Sequence, residues 1–513
     1  MALFESMLVL VLLAIALLQI SRVLPVPYPT LLALAGVAVT AVPWAPDIAI
    51  DPQLALVLFI APALLDAAYD IPPRVLWRNR LPLVALVAMA VVLTTLAVAA
   101  FGVLWAGLPL VAAVALGAIV APPDAAAASA MLNQFPLAQR TVTVLKGESL
   151  LNDAVALLIL GTAIGAASKT AHLSTLLPEL ALAVPGGILA GYGIGRVYLV
   201  LATRLAGTLG GTLFEFAATF AVWVLAERLH VSPILAVVAF AMTVARDMPE
   251  RQSPRDRVRS YSVWEACVFL LNVLAFLLIG LQARAIILRL EQAAVWQALA
   301  FGGAVLVLVI AVRLAWVLAY HALVRLLARP GSGRDAGGFG QAAIIGWCGM
   351  RGVVTLAAAL ALPSDFPARD RIVLAALIVV LGTLVIQGLT LGPLLRWMRF
   401  APDDSFDRQL AAARVALLDA AIARLEASDG KAAALLREDY RREREVAAGG
   451  EHPRAVIESD RLRRKAITAK RALLADMRRR GEIEDGVYHA LEQELDWSEL
   501  AASPPDRFRL VEG

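Results

Sequence analysis

The amino-acid sequence predicts an all-α polytopic membrane protein. It has about thirteen transmembrane helices with inverted repeats and two broken helices, followed by a cytosolic helical tail. Three observations carry this expectation. The 513 residues are 60% hydrophobic, where soluble domains run nearer half. Apolar stretches long enough to cross the hydrocarbon core, about twenty residues each, recur until about residue 400. Those stretches do not alternate apolar with polar residues, as the strands of a membrane barrel do.

The expected spans fall at roughly 3–22, 27–44, 52–70, 82–104, 108–132, 148–168, 176–202, 212–228, 231–246, 262–284, 294–327, 339–362 and 371–397. The first contains Glu5 and has neither a basic leader nor a small-residue cleavage site, so it reads as a span and not as a signal peptide. The eleventh is longer than a bilayer needs and must tilt or project.

Loop charge sets the orientation. Loops after odd-numbered spans carry Arg22, then Arg74, Arg78 and Arg80, then Arg140 and Lys146, then Arg204. The series continues with Arg246, Arg251, Arg255, Arg257 and Arg259, then Arg325, Arg329 and Arg334, and ends with Arg396 and Arg399. Loops after even-numbered spans are poorer in basic residues. The positive-inside rule then puts the N-terminus outside and the C-terminus in the cytoplasm, as an odd number of spans requires. The expected location is a cell membrane crossed many times, and the Ala-, Leu- and Arg-rich usage suggests a bacterial inner membrane. Residues 1–400 form the expected transmembrane domain.

Residues 401–513 form the expected cytosolic helical domain. "RQLAAARVALLDAAIARLEAS" has apolar residues at helical spacing among charges, and Gly449, Gly450 and Pro453 separate it from further helices. The basic run from Arg461 to Lys470 is either a solvated helix face or a contact for anionic lipid. No nucleic-acid motif is visible, and no partner for the tail is specified.

Several function classes are disfavoured. Cys267 and Cys348 both lie in apolar segments and suggest no disulfide framework. The five histidines, His172, His230, His321, His452 and His489, lack ligand-like spacing, so no resident zinc is expected. There is no nucleophile–base pair, HExxH helix or phosphate loop, so the chain is not expected to be an enzyme or to need a cofactor.

Ionisable residues inside spans are costly and point to function. In "LKGESLLNDAVALLIL", Glu148 stacks under Asn152 and Ser149 under Asp153, all within about 140° of helical arc. A helix start accounts for Glu148 and Ser149 as capping residues. It does not account for Asp153, one turn deeper with apolar residues beyond it. In "LGAIVAPPDAAAASAML", Pro122 and Pro123 interrupt the hydrogen-bond ladder and Asp124 follows the break. Free carbonyls at such a break are tolerated where they line a cavity, and they suit ion coordination. A second interruption is expected in "GWCGMRGVVTLAAALALP", where Gly346, Gly349 and Gly352 surround Arg351. One broken span near the end of each half is the placement of an inverted repeat. Asp66 in "APALLDAAYDIP", and Glu265 and Asn272 in the tenth span, are further candidates, with Glu265 expected at a solvated end. Arg313 in "LVLVIAVRLAWVLAY" needs a buried partner. Glu148 is the expected one, with Arg351 its competitor for that role.

These segments in this order resemble the monovalent cation:proton antiporter-1 family of sodium/proton exchangers, over roughly residues 50–398. The resemblance rests on "GESLLNDAVA", the broken span with Asp124, "WEACVFLLNVLAFLLIGLQ" and "GMRGVVTLAAALALP". It implies an electroneutral exchanger of Na+ for H+, a homodimer embedded in membrane lipid, with monovalent cations and protons as its ligands. It implies that Asp153 carries the ion or the proton, and that Asn152, Ser149 and Asp124 shape the site. Na+ would sit at Asp153, Asp124 and Ser149, and Glu148 would pair with Arg313. Asp66 stands where the family has an acidic residue in the third span, commonly glutamate. Pro123 stands where many members have threonine, leaving its carbonyl as the available oxygen. Asn152 cannot titrate, which implies one proton per cation. The rival readings are a potassium or mixed-cation/proton antiporter on the same scaffold, and a passive ion channel.

Overall fold

The computed structural model describes residues 2–21, 26–40, 51–69, 89–124, 139–167, 173–248, 250–287, 292–327, 338–398, 405–428, 430–449 and 454–501. Among the described residues the regular structure is helical. The chain divides into two compact units, Met1–Pro402 and Asp403–Glu512.

The first unit opens with α1 (Ala2–Ser21) and α2 (Tyr28–Thr40). A short α3 (Pro52–Ala55) widens into a π-helical stretch, Leu56–Ile60, and continues as α4 (Ala61–Tyr69). Then come α5 (Ala90–Ala106) and α6 (Leu110–Val120), joined through Gly107 in the left-handed region with φ 62°. The long α7 (Gln139–Ala167) and α8 (Leu173–Leu205) follow, then α9 (Leu209–Arg228) and α10 (Pro233–Asp247). Helix α10 starts with Ser232 as a side-chain cap and Pro233 in its first turn. The remainder is α11 (Pro254–Ile287), α12 (Gln292–Leu327), α13 (Phe339–Trp347), α14 (Val353–Leu360) and α15 (Arg369–Met398).

Four described segments are long and apolar enough to cross a membrane: Leu182–Leu205, Pro254–Gln282, Trp296–Leu326 and Arg369–Met398. Shorter apolar helices accompany them, among them Ala90–Ala106, Leu110–Val120 and Leu151–Ala167. The expected spans at 82–104 and 108–132 lie partly outside the described residues, as do Arg74, Arg78 and Arg80.

One expected boundary is corrected. The span expected at 148–168, and the helix start that would make Glu148 and Ser149 capping residues, meet a helix that begins earlier, at Gln139. Glu148 therefore sits more than two turns inside the helix, and capping does not explain it. "QRTVTVLKG" is polar in composition yet contains no proline to stop a helix growing back from the apolar run.

The core is built around α7. One apolar cluster joins α4, α8, α9, α10 and the start of α11, and takes Ala154 from α7. A second joins α5, α6, α12, α14 and α15, and takes Leu160 and Ala163 from α7. A third packs α1 and α2 on α11 and α15. There, α2 meets α11 backbone to backbone at Gly36 and Gly280, with no room for a Cβ on either. The face of α7 that carries Glu148, Asn152 and Asp153 thus lies where two helical assemblies adjoin.

The second unit contains α16 (Ser405–Glu426), α17 (Lys431–Gly449), α18 (Arg454–Arg479) and α19 (Asp485–Ala501). Arg444 pairs with Asp419 across α16 and α17. Arg471 pairs with Asp496 and Glu499 across α18 and α19. Ala433, Ile467 and Leu474 are its buried apolar residues. Exposed pairs of this kind contribute little to stability, because water and salt screen them. Their effect is to fix which helix faces which.

Candidate functional site

Two non-helical runs meet beside α7. Helix α6 ends at Val120, and Ala121–Asp124 run on without helical form, because Pro122 and Pro123 lack the amides a ladder needs. Helices α13 and α14 are separated by the non-helical run Cys348–Gly352. The runs are hydrogen-bonded to each other: the Asp124 amide donates to the Met350 carbonyl at 2.7 Å.

Arg351 fills the crossing. It is fully buried, and its Nε donates to the Val120 carbonyl at 3.0 Å. Its other nitrogens reach Ala121 O at 3.2 Å and Gly349 O. The last carbonyls of a helix carry partial negative charge, so the guanidinium closes the end of α6 electrostatically. The Arg351 amide donates to the Thr383 hydroxyl on α15 at 3.0 Å. Two glycines make the geometry possible. A Cβ on Gly349 would collide with the side chains of Arg313 and Arg351, and one on Gly352 would overlap the Asp124 carboxylate.

Arg313 of α12 reaches Glu148 of α7 with both terminal nitrogens, Nη1 to Oε1 at 2.5 Å and Nη2 to Oε2 at 3.1 Å. Glu148 is 1% exposed and Arg313 3%. Planar two-point pairing is what a guanidinium offers a carboxylate. Arg313 Nη2 also reaches the Ile345 carbonyl at 3.3 Å, tying α13 to the same pair. Arg351 is spent on carbonyls, and it is Arg313 that holds Glu148.

Asn152 is fully buried one turn above Glu148, and its amide nitrogen donates to Glu148 Oε1 at 3.2 Å. That orientation leaves Asn152 Oδ1 buried with no hydrogen-bond partner among the described residues. Asp153 is 6% exposed, and no described basic side chain pairs with it. Its carboxylate interacts electrostatically with that of Asp124, which is partly exposed. Pro122 and Pro123 are buried at the break. The Ser149 side chain lies outside the described residues.

Asp66, partly buried on α4, lines a cavity together with Glu215, Tyr261 and Trp264. Glu265 is exposed and Asn272 partly buried. Two residues were missed in the sequence. Thr383, which receives the Arg351 amide, is an ordinary threonine inside an apolar helix and carries no signal. Glu215 does carry one. A carboxylate in the apolar run "LFEFAATFAVWVLA" meets the same criterion that singled out Asp66.

A helix that ends and a helix that is interrupted within the apolar part of the chain, meeting beside a buried carboxylate with no basic partner among the described residues, are features of secondary transporters. The particular family follows from comparison: a model described as sodium/hydrogen exchanger, transmembrane, matches residues 8–397. The chain belongs to that family of cation/proton antiporters, which are multi-pass membrane transporters and not enzymes. An uncharacterised Na+/H+ exchanger of Mycobacterium tuberculosis is 29% identical over 408 residues, covering 77% of this chain and 74% of that one. The uncharacterised Na+/H+ exchanger YjcE of Escherichia coli is 28% identical over 93% of this chain and 94% of its own length. A sodium, potassium, lithium and rubidium/H+ antiporter of Bacillus pumilus is 29% identical, over 77% of this chain and 61% of that protein. The sodium proton antiporter MjNhaP1 of Methanocaldococcus jannaschii has the same fold. One structure of it aligns with a TM-score of 0.57 at 18% identity, covering 77% of this chain and 99% of that one.

Proposed function

We propose that the chain exchanges Na+ for H+ one for one and without net charge movement, serving pH and sodium homeostasis, with Asp153 as the group that holds either ligand. The observation that carries this reading is the isolation of Asp153. It is buried beside Asp124 with no basic partner among the described residues, while its neighbour Asn152 keeps an unused carbonyl oxygen. Two carboxylates this close, poorly hydrated, do not both stay ionised without a counter-ion. A proton satisfies that need, and so does a hard cation bound by oxygens. Either ligand excludes the other.

The remaining charges are already committed. Glu148 is neutralised by Arg313, and Arg351 is satisfied by carbonyls. Oxygens for a cation come from Asp153, Asp124 and Asn152, with Ser149 and the Pro123 carbonyl as further donors. An empty, charged site crosses the membrane barrier with difficulty, because an uncompensated buried charge costs several kcal/mol. That penalty couples the two fluxes. Asn152 does not titrate, so one charge is exchanged for one.

In this reading residues 1–400 are the transmembrane antiporter domain, acting as a homodimer in lipid, and residues 401–513 the cytosolic helical domain. The N-terminus lies outside and the C-terminus in the cytoplasm of a bacterial inner membrane. No cofactor takes part, since both ligands are cargo. Asp66 adds a carboxylate on the approach to the site. The breadth named for the Bacillus pumilus relative favours a second reading, with K+ and Li+ carried as well as Na+.

The test is exchange in proteoliposomes loaded with a pH dye, with Na+, Li+ and K+ added at several pH values. Asp153→Asn is expected to abolish the cation-driven pH change while eluting as folded protein. Full transport by that variant would remove the assignment, and steady single-channel current would replace exchange with a passive pore.

A further inference from the structure

The face of α15 that borders the α13–α14 break carries a polar side chain with nothing to hold. Gln387 is fully buried, and both its amide nitrogen and its amide oxygen lack a hydrogen-bond partner among the described residues. A buried amide with both ends unused is uncommon in a folded protein, because each unpaired end has lost its water for no return.

The neighbouring contacts fix which way this face looks. Thr383 Oγ1 accepts from the Arg351 amide at 3.0 Å, and Thr390 Oγ1 accepts from Trp347 Nε1 at 3.0 Å. Gln387 lies between these two threonines, one turn from each, and the three fall within about 60° of helical arc. It therefore faces the middle of the non-helical run Cys348–Gly352. The adjoining Leu384 and Leu391 pack in one apolar cluster with Cys348 and Met350.

That run has backbone groups to offer. Its Cys348 and Arg351 amides and its Gly349 and Met350 carbonyls are taken, by Ile344, Thr383, Arg351 and Asp124 in turn. The Gly349 and Met350 amides and the Cys348 carbonyl have no partner among the described residues, and all three residues are buried. Gln387 reaches none of them directly. One water between them would accept from a backbone amide and donate to the Gln387 oxygen, finding the two or more polar partners that a buried water needs. An amide side chain both donates and accepts, so it suits such a bridge whichever way it is turned.

We propose that Gln387 is a positioning residue, which through one buried water holds the backbone of the Cys348–Gly352 run in place. Its effect on transport rests on the function proposed above. Met350, in the middle of that run, gives its carbonyl to the Asp124 amide at 2.7 Å, and Asp124 is one of the carboxylates of the proposed cation site. A run left loose on its α15 side lets Asp124 drift, and the cation loses the placement of one of its oxygens. Gln387 thus acts on cation affinity without touching the cation.

The test compares Gln387→Met, of similar length and without the amide, with Gln387→Asn, which keeps the amide and leaves the water room to follow it. In the pH-dye assay Gln387→Met is expected to raise the half-maximal Na+ concentration about fivefold, the loss of one hydrogen bond, with a maximal rate within about twofold of the parent's. Gln387→Asn is expected to stay within about twofold of the parent on both. A merely structural role would lower the maximal rate, through less folded transporter, and leave the half-maximal concentration where it was. That result overturns the proposal. So does a Gln387→Met protein that melts higher than the parent, which is what removing a dry, unpaired amide gives. A density map of the unaltered protein, fine enough to show ordered waters, tests the bridge without any variant. Water density between the Gln387 amide and the run is expected, and a map that lacks it refutes the bridge. If the parent carries no cation-driven proton flux, the functional reading falls, and the melting temperatures and the map still decide this proposal.

Discussion

Replacing Glu148 by glutamine tests the electrostatic frame of the site. The wild-type pair is closed on both sides, with each terminal nitrogen of Arg313 on its own oxygen of Glu148 and both side chains almost fully buried. Glutamine keeps the shape and one acceptor oxygen. It removes the negative charge and leaves a guanidinium with no counter-charge at the junction of α7, α12 and α13. Removing one member of a buried pair costs about 3–5 kcal/mol. The Asn152 hydrogen bond to Glu148, a neutral donor on a charged acceptor, adds roughly 1 kcal/mol more. A loss of that size lowers the melting temperature of the detergent-solubilised protein by roughly 5 °C or more. The comparison that isolates the pair is Glu148→Leu/Arg313→Met, which removes both charges and fills the space. Such replacements are often neutral or stabilising, so it is expected to melt within a few degrees of the parent. If Glu148→Gln and the parent melt within about a degree of each other, the pair is not holding the helices together. If the double variant is the less stable of the two, the loss comes from packing and not from an unpaired charge.

Three further expectations follow from the same geometry. Asn152→Asp adds a titrating group next to Asp153, so a pH jump that drives no current in wild-type proteoliposomes is expected to drive one in the variant. Electrical silence in both would separate stoichiometry from this position. Gly352→Ala drives a methyl group into the Asp124 carboxylate and is expected to reduce exchange at least tenfold while the protein still elutes as a single species, with wild-type rates counting against the packing. Arg351→Lys keeps the charge but loses the planar fork that spans Val120 and Ala121. It is expected to lose about 2 kcal/mol of stability, read as a lower melting temperature, a loss that a merely Coulombic role for Arg351 would not produce.

The sequence made the helical class, the breaks and the polar face of α7 legible, because each has a local cause. Pro122 and Pro123 stop a helix wherever they fall, and a carboxylate amid leucines is anomalous without reference to anything else. The start of α7 is not legible in the sequence, because a polar run with no breaker follows its neighbour's conformation, and the neighbour is helical. The targets of Arg351 were out of reach for another reason. Carbonyls are the same in every residue, so a buried arginine that pairs with Val120 and Ala121 leaves no mark at those positions. Thr383 is hidden likewise, since its role depends on a residue 32 positions away. Glu215 was visible by the rule already applied to Asp66 and was passed over.

The choice between the two arginines decides which carboxylate is left to work. Gly349 separates Arg313 from Arg351, and both guanidiniums lie close enough that a methyl group on that glycine would strike them. Had Arg351 turned toward α7, the end of α6 would have lost its closure. Had Arg313 reached one turn further along α7, it would have met Asp153 and neutralised it permanently. Instead Arg313 is held on Glu148 by a two-point contact and by the Ile345 carbonyl, and Arg351 is held on the α6 carbonyls. Those two fixed charges are thereby matched within the protein, and in the proposed mechanism the charge at Asp153, which no basic side chain pairs with among the described residues, is matched by a cation or proton from solution. An arginine moved to within reach of Asp153, for example by Leu157→Arg one turn along α7, is therefore expected to leave a folded protein without exchange. The measurement is the pH-dye assay, with retained transport showing that Asp153 does not need to be free.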